Sequence, residues 1–286
     1  MQSGVIDVMI SVASGKGGTG KTTVSVNMAL SVQEPVQLLD CDVEEPNAHI
    51  FVKPHIDAVR PVYVPVPEVD HALCDRCGKC AEFCQFHAIA VVAERAMVFP
   101  QLCHGCGGCR LVCPRKAITE VNREVGVIKT GTAGRMDFAY GELSLGEPMP
   151  GPLIRELKRN VKRNCVAIID APPGTSCPVI ESVYGTDYCI LVTEPTPFGL
   201  HDLKLMVDLL REIRIPFGVV VNRAGIGDRK VYEYCEKEDV PILLEIPFDR
   251  KIAELYSQGT PFITQMHEWK DRLASLPARA KEARDR

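Results

Sequence analysis

The 286-residue sequence has no basic excess and no long hydrophobic run. Its formal net charge is −4, so it lacks the positive charge with which nucleic-acid-binding proteins neutralise phosphates. No apolar stretch approaches the length of a transmembrane span, and the first residues show no basic segment followed by an apolar one. We therefore expect a cytoplasmic protein whose partners include neither nucleic acid nor membrane.

Cysteine is abundant but unevenly distributed. Eight of the 13 cysteines lie between Cys74 and Cys113, in the stretches CDRCGKCAEFC and CHGCGGCRLVC. Each stretch has the spacing C-x₂-C-x₂-C-x₃-C, and the two repeat with an offset of 29 residues. This spacing is typical of metal ligation in a reducing compartment rather than of a secreted disulfide scaffold.

The duplicated segment resembles a bacterial two-cluster ferredoxin. Three closely spaced thiolates with a distant fourth suit a [4Fe–4S] cube, whereas four-cysteine zinc sites usually use separated C-x₂-C pairs. In such ferredoxins the fourth ligand comes from the other motif. The ligand sets are then Cys74, Cys77, Cys80 and Cys113 for the first cluster, and Cys103, Cys106, Cys109 and Cys84 for the second. In one departure, Gln85 follows Cys84 where proline is usual.

A glycine-rich loop near the start carries two lysines. In SVASGKGGTGKTT the pattern Gly-x-x-x-x-Gly-Lys-Thr runs from Gly15 to Thr22, between a predicted strand and a predicted helix. Backbone N–H groups of such a loop surround phosphates, Lys21 is expected to neutralise them, and Thr22 is expected to ligate Mg²⁺. The predicted nucleotide contacts are Gly15, Lys16, Gly17, Gly18, Thr19, Gly20, Lys21, Thr22 and Thr23.

Polar residues follow several apolar runs that read as buried parallel strands. We expect Asp40 to support the Mg²⁺ shell and Asp42 to orient the attacking water. Asp170 ends another predicted strand, and Gly174 is expected to aim a backbone N–H at the γ-phosphate. Further predicted contacts are Asn222, as a reader of the purine edge, and Pro247 and Asp249, as a wall beside the base.

Outside the cysteine-rich segment the chain resembles the deviant-Walker-A, SIMIBI-class P-loop ATPases: the MinD and ParA ATPases, the nitrogenase iron protein and the Mrp-type iron–sulfur carriers. KGGTGKT is their signature. The resemblance implies ATP and Mg²⁺ as ligands, Lys16, Lys21 and Asp42 as catalytic residues, and a nucleotide-dependent dimer, with itself or with a paralogue. In that dimer Lys16 reaches the partner subunit's phosphates, in the manner of an arginine finger.

The alternation of strands and helices predicts an α/β fold with a mainly parallel sheet covered on both faces. A proline-rich stretch at 60–70 indicates a boundary. We expect residues 1–65 and 123–286 to form the ATPase domain, and residues 66–122 to form an inserted, small α+β ferredoxin-like domain. The charged tail at 267–286 is expected to be a solvated helix.

Three functions are compatible with these features. The first is an ATPase that gates electron transfer from two [4Fe–4S] clusters to a redox partner. The second is assembly or delivery of a metallocofactor, and the third is positioning by a MinD-like ATPase with structural clusters. The family resemblance makes residues 170–174 switch II. Of the cysteines outside the motifs, Cys177 lies just after this stretch, where the nitrogenase iron protein has a cluster ligand, and it is a candidate for a bridging cluster.

Overall fold

The computed structural model describes residues 8–284, with the side chains of residues 8–282. The strands within this range are β1 (Val8–Ala13), β2 (Val36–Asp40), β3 (His55–Val69), β4 (Ile89–Val92), β5 (Arg95–Val98), β6 (Ile118–Ala133), β7 (Met136–Leu143), β8 (Val166–Asp170), β9 (Tyr188–Thr193), β10 (Phe217–Ala224) and β11 (Ile242–Pro247). The part of the first predicted strand before Val8 lies outside the described residues.

Helices follow most of these strands. They are α1 (Lys21–Ser31), α2 (Ala48–Val52), α3 (Lys79–Phe83), α4 (Gly108–Val112), α5 (Gly151–Lys158), α6 (Cys177–Val183), α7 (Pro197–Glu212), α8 (Lys230–Lys237), α9 (Arg250–Ser257), α10 (Lys270–Ala274) and α11 (Leu276–Arg284). Short 3₁₀ helices cover Pro100–Leu102, Phe262–Thr264 and His267–Trp269. None of the described helices is both long and apolar enough to cross a membrane.

Within residues 8–284 one sheet has nine strands in the order β11-β10-β9-β1-β8-β2-β7-β6-β3. The pairings from β11 to β7 are parallel. Successive side chains of a strand point to opposite faces of the sheet and pack into two separate hydrophobic cores. In β9, Ile190 and Val192 belong to one core, and Cys189 and Leu191 belong to the other. The expected mainly parallel α/β fold with helices on both faces is confirmed. It brings the carboxyl ends of the parallel strands to one edge, where such folds bind ligands.

The proline-rich stretch forms part of a strand. It falls in β3, whose Val62, Val64 and Val66 are buried although Pro61 and Pro65 are exposed. β3 ends the strand order, and an edge strand tolerates proline because one side of its backbone needs no ladder hydrogen bond.

The prediction of a solvated tail is wrong for the described residues up to 282. Trp269, Leu273, Leu276 and Ala280 are all buried and belong to one of the two cores. Their spacing of four, three and four residues places them on one helical face, so the charged residues between them occupy the other. The tail therefore completes the core.

The chain divides into two compact units. One contains the described residues up to Val59, with Ile128–Glu142 and the described residues from Ile154 onwards; the other contains Arg60–Val127 and Leu143–Leu153. The second unit holds all eight motif cysteines, and its repeat is visible in the backbone. Gly78 and Gly107 immediately precede the matching helices α3 and α4, with φ of 78° and 71°, a conformation that favours glycine.

Candidate functional site

The glycine-rich loop joins β1 to α1 and leaves open space above its backbone. Gly18 and Gly20 have φ of 78° and 98°, which a residue with a side chain adopts only with strain. A Cβ at Gly17 or Gly18 would meet nothing within 4 Å, whereas one at Gly15 would collide with the backbone of Asp202. The loop therefore packs closely at its start and offers bare backbone further on, as an anion cradle requires.

Lys21 begins α1 and is largely buried. Burial lowers the pKa of its ammonium group, while Asp170, Asp42 and Asp40 oppose that shift in this order of strength. The structure thus brings the predicted loop lysine and the three predicted carboxylates into one electrostatic group. A buried ammonium surrounded by carboxylates has the charges needed to receive an anion together with its metal ion.

Asp40 is fully buried at the end of β2, and its carboxylate is already used by backbone donors. It accepts N–H bonds from Asp42 (3.1 Å), Asn47 (2.9 Å) and Ala48 (2.9 Å). Burial is the main cause of its raised pKa, followed by the charge of Asp170. Asp40 therefore fixes the loop that carries Asp42, a role that the sequence analysis did not predict.

Asp170 differs from Asp40, although the two are register partners on adjacent strands. Both of its carboxylate oxygens are buried, and neither has a hydrogen-bond partner among the described residues. Burial is the main cause of its raised pKa, and Thr22 and Lys21 oppose it. Two unpartnered carboxylate oxygens beside a phosphate loop fit a Mg²⁺ ion or its water shell.

Asp42 stands two residues beyond Asp40 and is partly buried. Burial raises its pKa to about 6, while Lys21 acts in the opposite direction. Such a carboxylate changes charge near neutral pH, which suits a group that orients or polarises water.

The predicted base-reading residues lie at the ends of β10 and β11. Asn222 donates from Nδ2 to the Thr19 carbonyl oxygen at 2.8 Å, which connects β10 to the phosphate loop. Pro247 is the register partner of Ala224, and the Asp249 carboxylate caps α9 by accepting from Lys251 N–H at 2.7 Å. The structure brings Asn222 and Pro247 to the same sheet edge and shows Asp249 as a helix cap.

The predicted switch II glycine lies against the phosphate loop. Gly174 has φ of 99°, and its N–H donates to the Ser14 carbonyl oxygen at 3.0 Å. To contact a phosphate as predicted, this N–H would have to leave Ser14.

The motif cysteines of the second unit surround two separate cavities. One is lined by Cys74, Cys77, Cys80 and Cys113, and the other, of about 370 Å³, by Cys84, Cys103, Cys106 and Cys109. Each cavity thus combines three cysteines of one motif with the last cysteine of the other. Ala88 and Ala117 occupy equivalent positions in the two repeats. The backbone N–H of each donates to the sulfur of the cysteine four residues before it, at 3.3 Å.

This donor set suits a polynuclear cluster. Among the described residues, no three His, Cys, Asp or Glu side chains are arranged to hold a single metal ion. Four thiols around a cavity are the ligands of an iron–sulfur cube, and N–H bonds to the sulfurs are a known means of tuning it. Of the other cysteines, Cys41, Cys165, Cys189 and Cys235 are buried and Cys177 is exposed.

Comparison with known proteins identifies the family. Residues 10–262 match the CobQ/CobB/MinD/ParA nucleotide binding domain. The chain belongs to this nucleotide-binding family. The resemblance inferred from KGGTGKT is thereby confirmed at the level of the family.

Relatives and solved structures extend this result. An uncharacterized protein of Methanocaldococcus jannaschii is 31% identical over 265 residues, covering 90% of this chain and 91% of that protein. An iron-sulfur cluster carrier protein of Pyrococcus horikoshii is 26% identical over 274 residues, covering 89% and 78% respectively. The septum site-determining protein MinD of Pyrococcus horikoshii, solved with Mg-ADP, shares the fold with a TM-score of 0.57 at 20% identity, covering 96% of this chain and 95% of that one.

One charged residue in this member of the CobQ/CobB/MinD/ParA family was missed by sequence reasoning. Glu194 follows β9 and is buried, with its side chain 8% exposed. It lies 3.9 Å from Lys16 Nζ and accepts a 2.7 Å hydrogen bond from Arg223. An acid at the end of a predicted strand, in LVTEP, was the available signal, and it was identical in kind to the signal that singled out Asp170.

Proposed function

We propose that this protein binds and hydrolyses ATP and that a nucleotide-dependent dimer switch is coupled to two [4Fe–4S] clusters. The observation that carries the proposal is the pair of cavities, each lined by four cysteines drawn from both motifs, in a chain of a nucleotide-binding family. The 66–122 segment would then act as an inserted ferredoxin-like domain, and the remaining chain as the ATPase domain.

At the nucleotide site, the phosphates would lie over the bare backbone of Gly17 and Gly18 and against Lys21. Thr22 and Asp170 would hold Mg²⁺, since Asp170 has two unpartnered oxygens and Asp40 has none. The metal ion supplies positive charge that stabilises the transferred phosphoryl group.

The remaining polar groups would have separate tasks. Asp42 would orient the attacking water, because the hydrogen bond from its backbone N–H to the Asp40 carboxylate fixes the loop that carries it. Lys16 would act on the partner subunit's phosphates. Asn222 and Pro247 would border the base, with Asp249 at the start of the next helix.

In the second unit the cysteine thiolates would each retain one corner of a cube. A bound cluster supplies one-electron redox chemistry. The full set of four protein thiols per cavity favours retention over release, and this supports electron transfer to a redox partner as the output of the ATP switch.

Cluster or metallocofactor delivery is the second candidate. It is favoured by the Pyrococcus horikoshii relative, which is named an iron-sulfur cluster carrier protein and covers 89% of this chain. The two candidates differ in what leaves the protein when ATP binds, since an electron leaves in the first and iron leaves in the second.

One experiment separates the candidates. Asp42→Asn keeps the size of the side chain and should bind ATP while hydrolysing it slowly, so that the ATP-bound dimer accumulates. The holoprotein is titrated anaerobically with and without Mg-ATP, and iron transfer to an apo-ferredoxin is followed in parallel. A shift in potential without iron loss supports gated electron transfer; about 60 mV would correspond to about 1.4 kcal/mol, a typical coupling energy.

The other outcomes are equally informative. Iron that moves to the acceptor only after ATP addition supports delivery. An ATP-dependent change of oligomeric state with neither effect would count against both candidates and favour positioning. Lys21→Ala, which should bind nucleotide poorly, is the matched control and should show no ATP effect in any measurement.

A further inference from the structure

Four contacts connect the phosphate loop to the base region through a single buried carboxylate. Lys16 Nζ lies 3.9 Å from Glu194 Oε2, and Arg223 Nη1 lies 2.7 Å from Glu194 Oε1. The Arg223 N–H donates to Asn222 Oδ1 at 2.9 Å, and Asn222 Nδ2 donates to the Thr19 carbonyl oxygen at 2.8 Å. The chain of contacts therefore begins and ends on the phosphate loop.

We propose that Glu194 is a positioning residue that holds Lys16 in its own subunit before dimerisation, with Arg223 keeping Glu194 paired when Lys16 leaves. The proposal rests on the trans-acting role of Lys16 in the proposed function. The new element is Glu194, which would control how easily Lys16 is released to act on the partner subunit's phosphates.

The proposed role requires Glu194 to hold Arg223 more strongly than Lys16, and the two contacts differ in this way. The Arg223 contact is a charge-assisted hydrogen bond, whereas the Lys16 contact is an ion pair beyond hydrogen-bond distance. Each cation faces a different carboxylate oxygen, so Lys16 can leave without disturbing the Arg223 bond. A buried carboxylate abandoned by both cations would be costly, and Arg223 removes that cost.

Exposure identifies Glu194 as the fixed member of this group. Its side chain is 8% exposed, whereas the Lys16 and Arg223 side chains are 33% and 46% exposed. Bonding, rather than exposure, separates the two cations, because Arg223 makes the 2.7 Å hydrogen bond and Lys16 contacts Glu194 through the longer ion pair. The more easily released partner is therefore Lys16.

The test measures the availability of Lys16 without nucleotide. Intact holoprotein is treated with an acetylating reagent, and the Lys16 labelling rate is read by peptide mass spectrometry, relative to exposed lysines. Glu194→Gln should raise the rate about two- to fivefold, as expected for loss of a partly exposed ion pair. Arg223→Gln should lower it, because Lys16 is then the cation that remains paired with Glu194 among the described residues.

Opposite signs for the two variants are the decisive feature, since damage to the fold would raise labelling in both. Glu238→Gln is the matched control, because it removes the carboxylate of another arginine pair, with Arg211, in the same unit. Unchanged labelling in Glu194→Gln, or equal increases in both variants, would overturn the proposal.

ATP-dependent dimer formation, measured by sedimentation, separates this inference from the proposed function. Labelling that rises in Glu194→Gln together with dimer formation at lower ATP supports both. Labelling that rises without any change in dimer formation supports the hold on Lys16 and counts against its action in trans.

Discussion

Asp40 and Asp170 are register partners at the carboxyl ends of the neighbouring parallel strands β2 and β8, yet their carboxylates have opposite surroundings. Asp40 accepts three backbone N–H bonds, whereas both Asp170 oxygens are buried without a partner among the described residues. One acid thus stabilises the loop, and the other is left available for a cation. The pair shows how the sheet positions a binding group at the expense of stability.

Asp170→Asn should stabilise the protein in the absence of Mg²⁺ and nucleotide. Burial raises the pKa of Asp170 against the opposing effects of Thr22 and Lys21, so the folded state binds its proton more tightly than the unfolded state does. Stability should therefore fall as pH rises from the unfolded value of about 4 through the folded pKa. Above that range the variant should unfold about 2–6 °C higher than wild type, measured by anaerobic calorimetry with a chelator.

Asp40→Asn is the contrasting control, because an amide cannot accept at both positions that the Asp40 carboxylate serves. It should unfold at a lower temperature than wild type at pH 7. A destabilised Asp170→Asn protein would show that Asp170 has a structural partner, and would contradict the assignment to Mg²⁺.

Pairs of cysteine variants should reveal the crossed ligand sets. Wild type purified anaerobically should be brown and carry about eight irons per chain. Cys74→Ala with Cys113→Ala removes two cysteines from one cavity and should leave about four irons. Cys74→Ala with Cys84→Ala removes one from each cavity and should lose most of the iron, as measured by iron analysis and EPR.

The buried Cys235→Ala variant, which lies outside both motifs, should keep the full iron content. Equal iron loss in the two double variants would contradict the crossed arrangement, and bound zinc without visible absorption would contradict the clusters altogether.

The two lysines of the loop should fail in different ways. Lys21→Ala should weaken ATP binding itself, because Lys21 lies buried among the carboxylates of the site. Lys16→Ala should leave ATP binding largely intact but abolish hydrolysis and the ATP-dependent dimer. Equilibrium binding, phosphate release and sedimentation measure the three effects, and exposed Lys230→Ala is the control. Wild-type hydrolysis by Lys16→Ala would contradict a trans-acting lysine.

Local motifs allowed much of the fold and site to be predicted from the sequence. The phosphate loop and the cysteine motifs depend on residues close together in the chain, so their spacing alone reveals them. The apolar run that forms β2 also indicated a buried parallel strand, and all five of its residues are buried.

Features that depend on tertiary neighbours were missed. The strand formed by the proline-rich stretch was not predicted, because the edge position that lets β3 accept prolines is a property of the whole sheet. The tail was read as solvated because four apolar residues among many charges are few, although their spacing puts them on one face. Glu194 was overlooked because its cations, Lys16 and Arg223, come from distant parts of the chain.

The last prediction concerns the pH dependence of hydrolysis. Burial raises the pKa of Asp42 to about 6, and a carboxylate that orients water must be ionised. Since kcat/KM reports ionisations of the free enzyme, it should rise about tenfold per pH unit below about pH 6 and level off above that pH.

Asp170 also has a raised pKa, but bound Mg²⁺ would displace its proton, so profiles at increasing Mg²⁺ separate the two acids. The inflection that persists at saturating Mg²⁺ belongs to Asp42 and should vanish from the residual activity of Asp42→Asn. Glu44→Gln removes an exposed acid of the same loop whose charge helps to raise the pKa of Asp42, so it should keep the inflection and move it to slightly lower pH. A profile that becomes flat in wild type at high Mg²⁺ would remove Asp42 from the hydrolytic step.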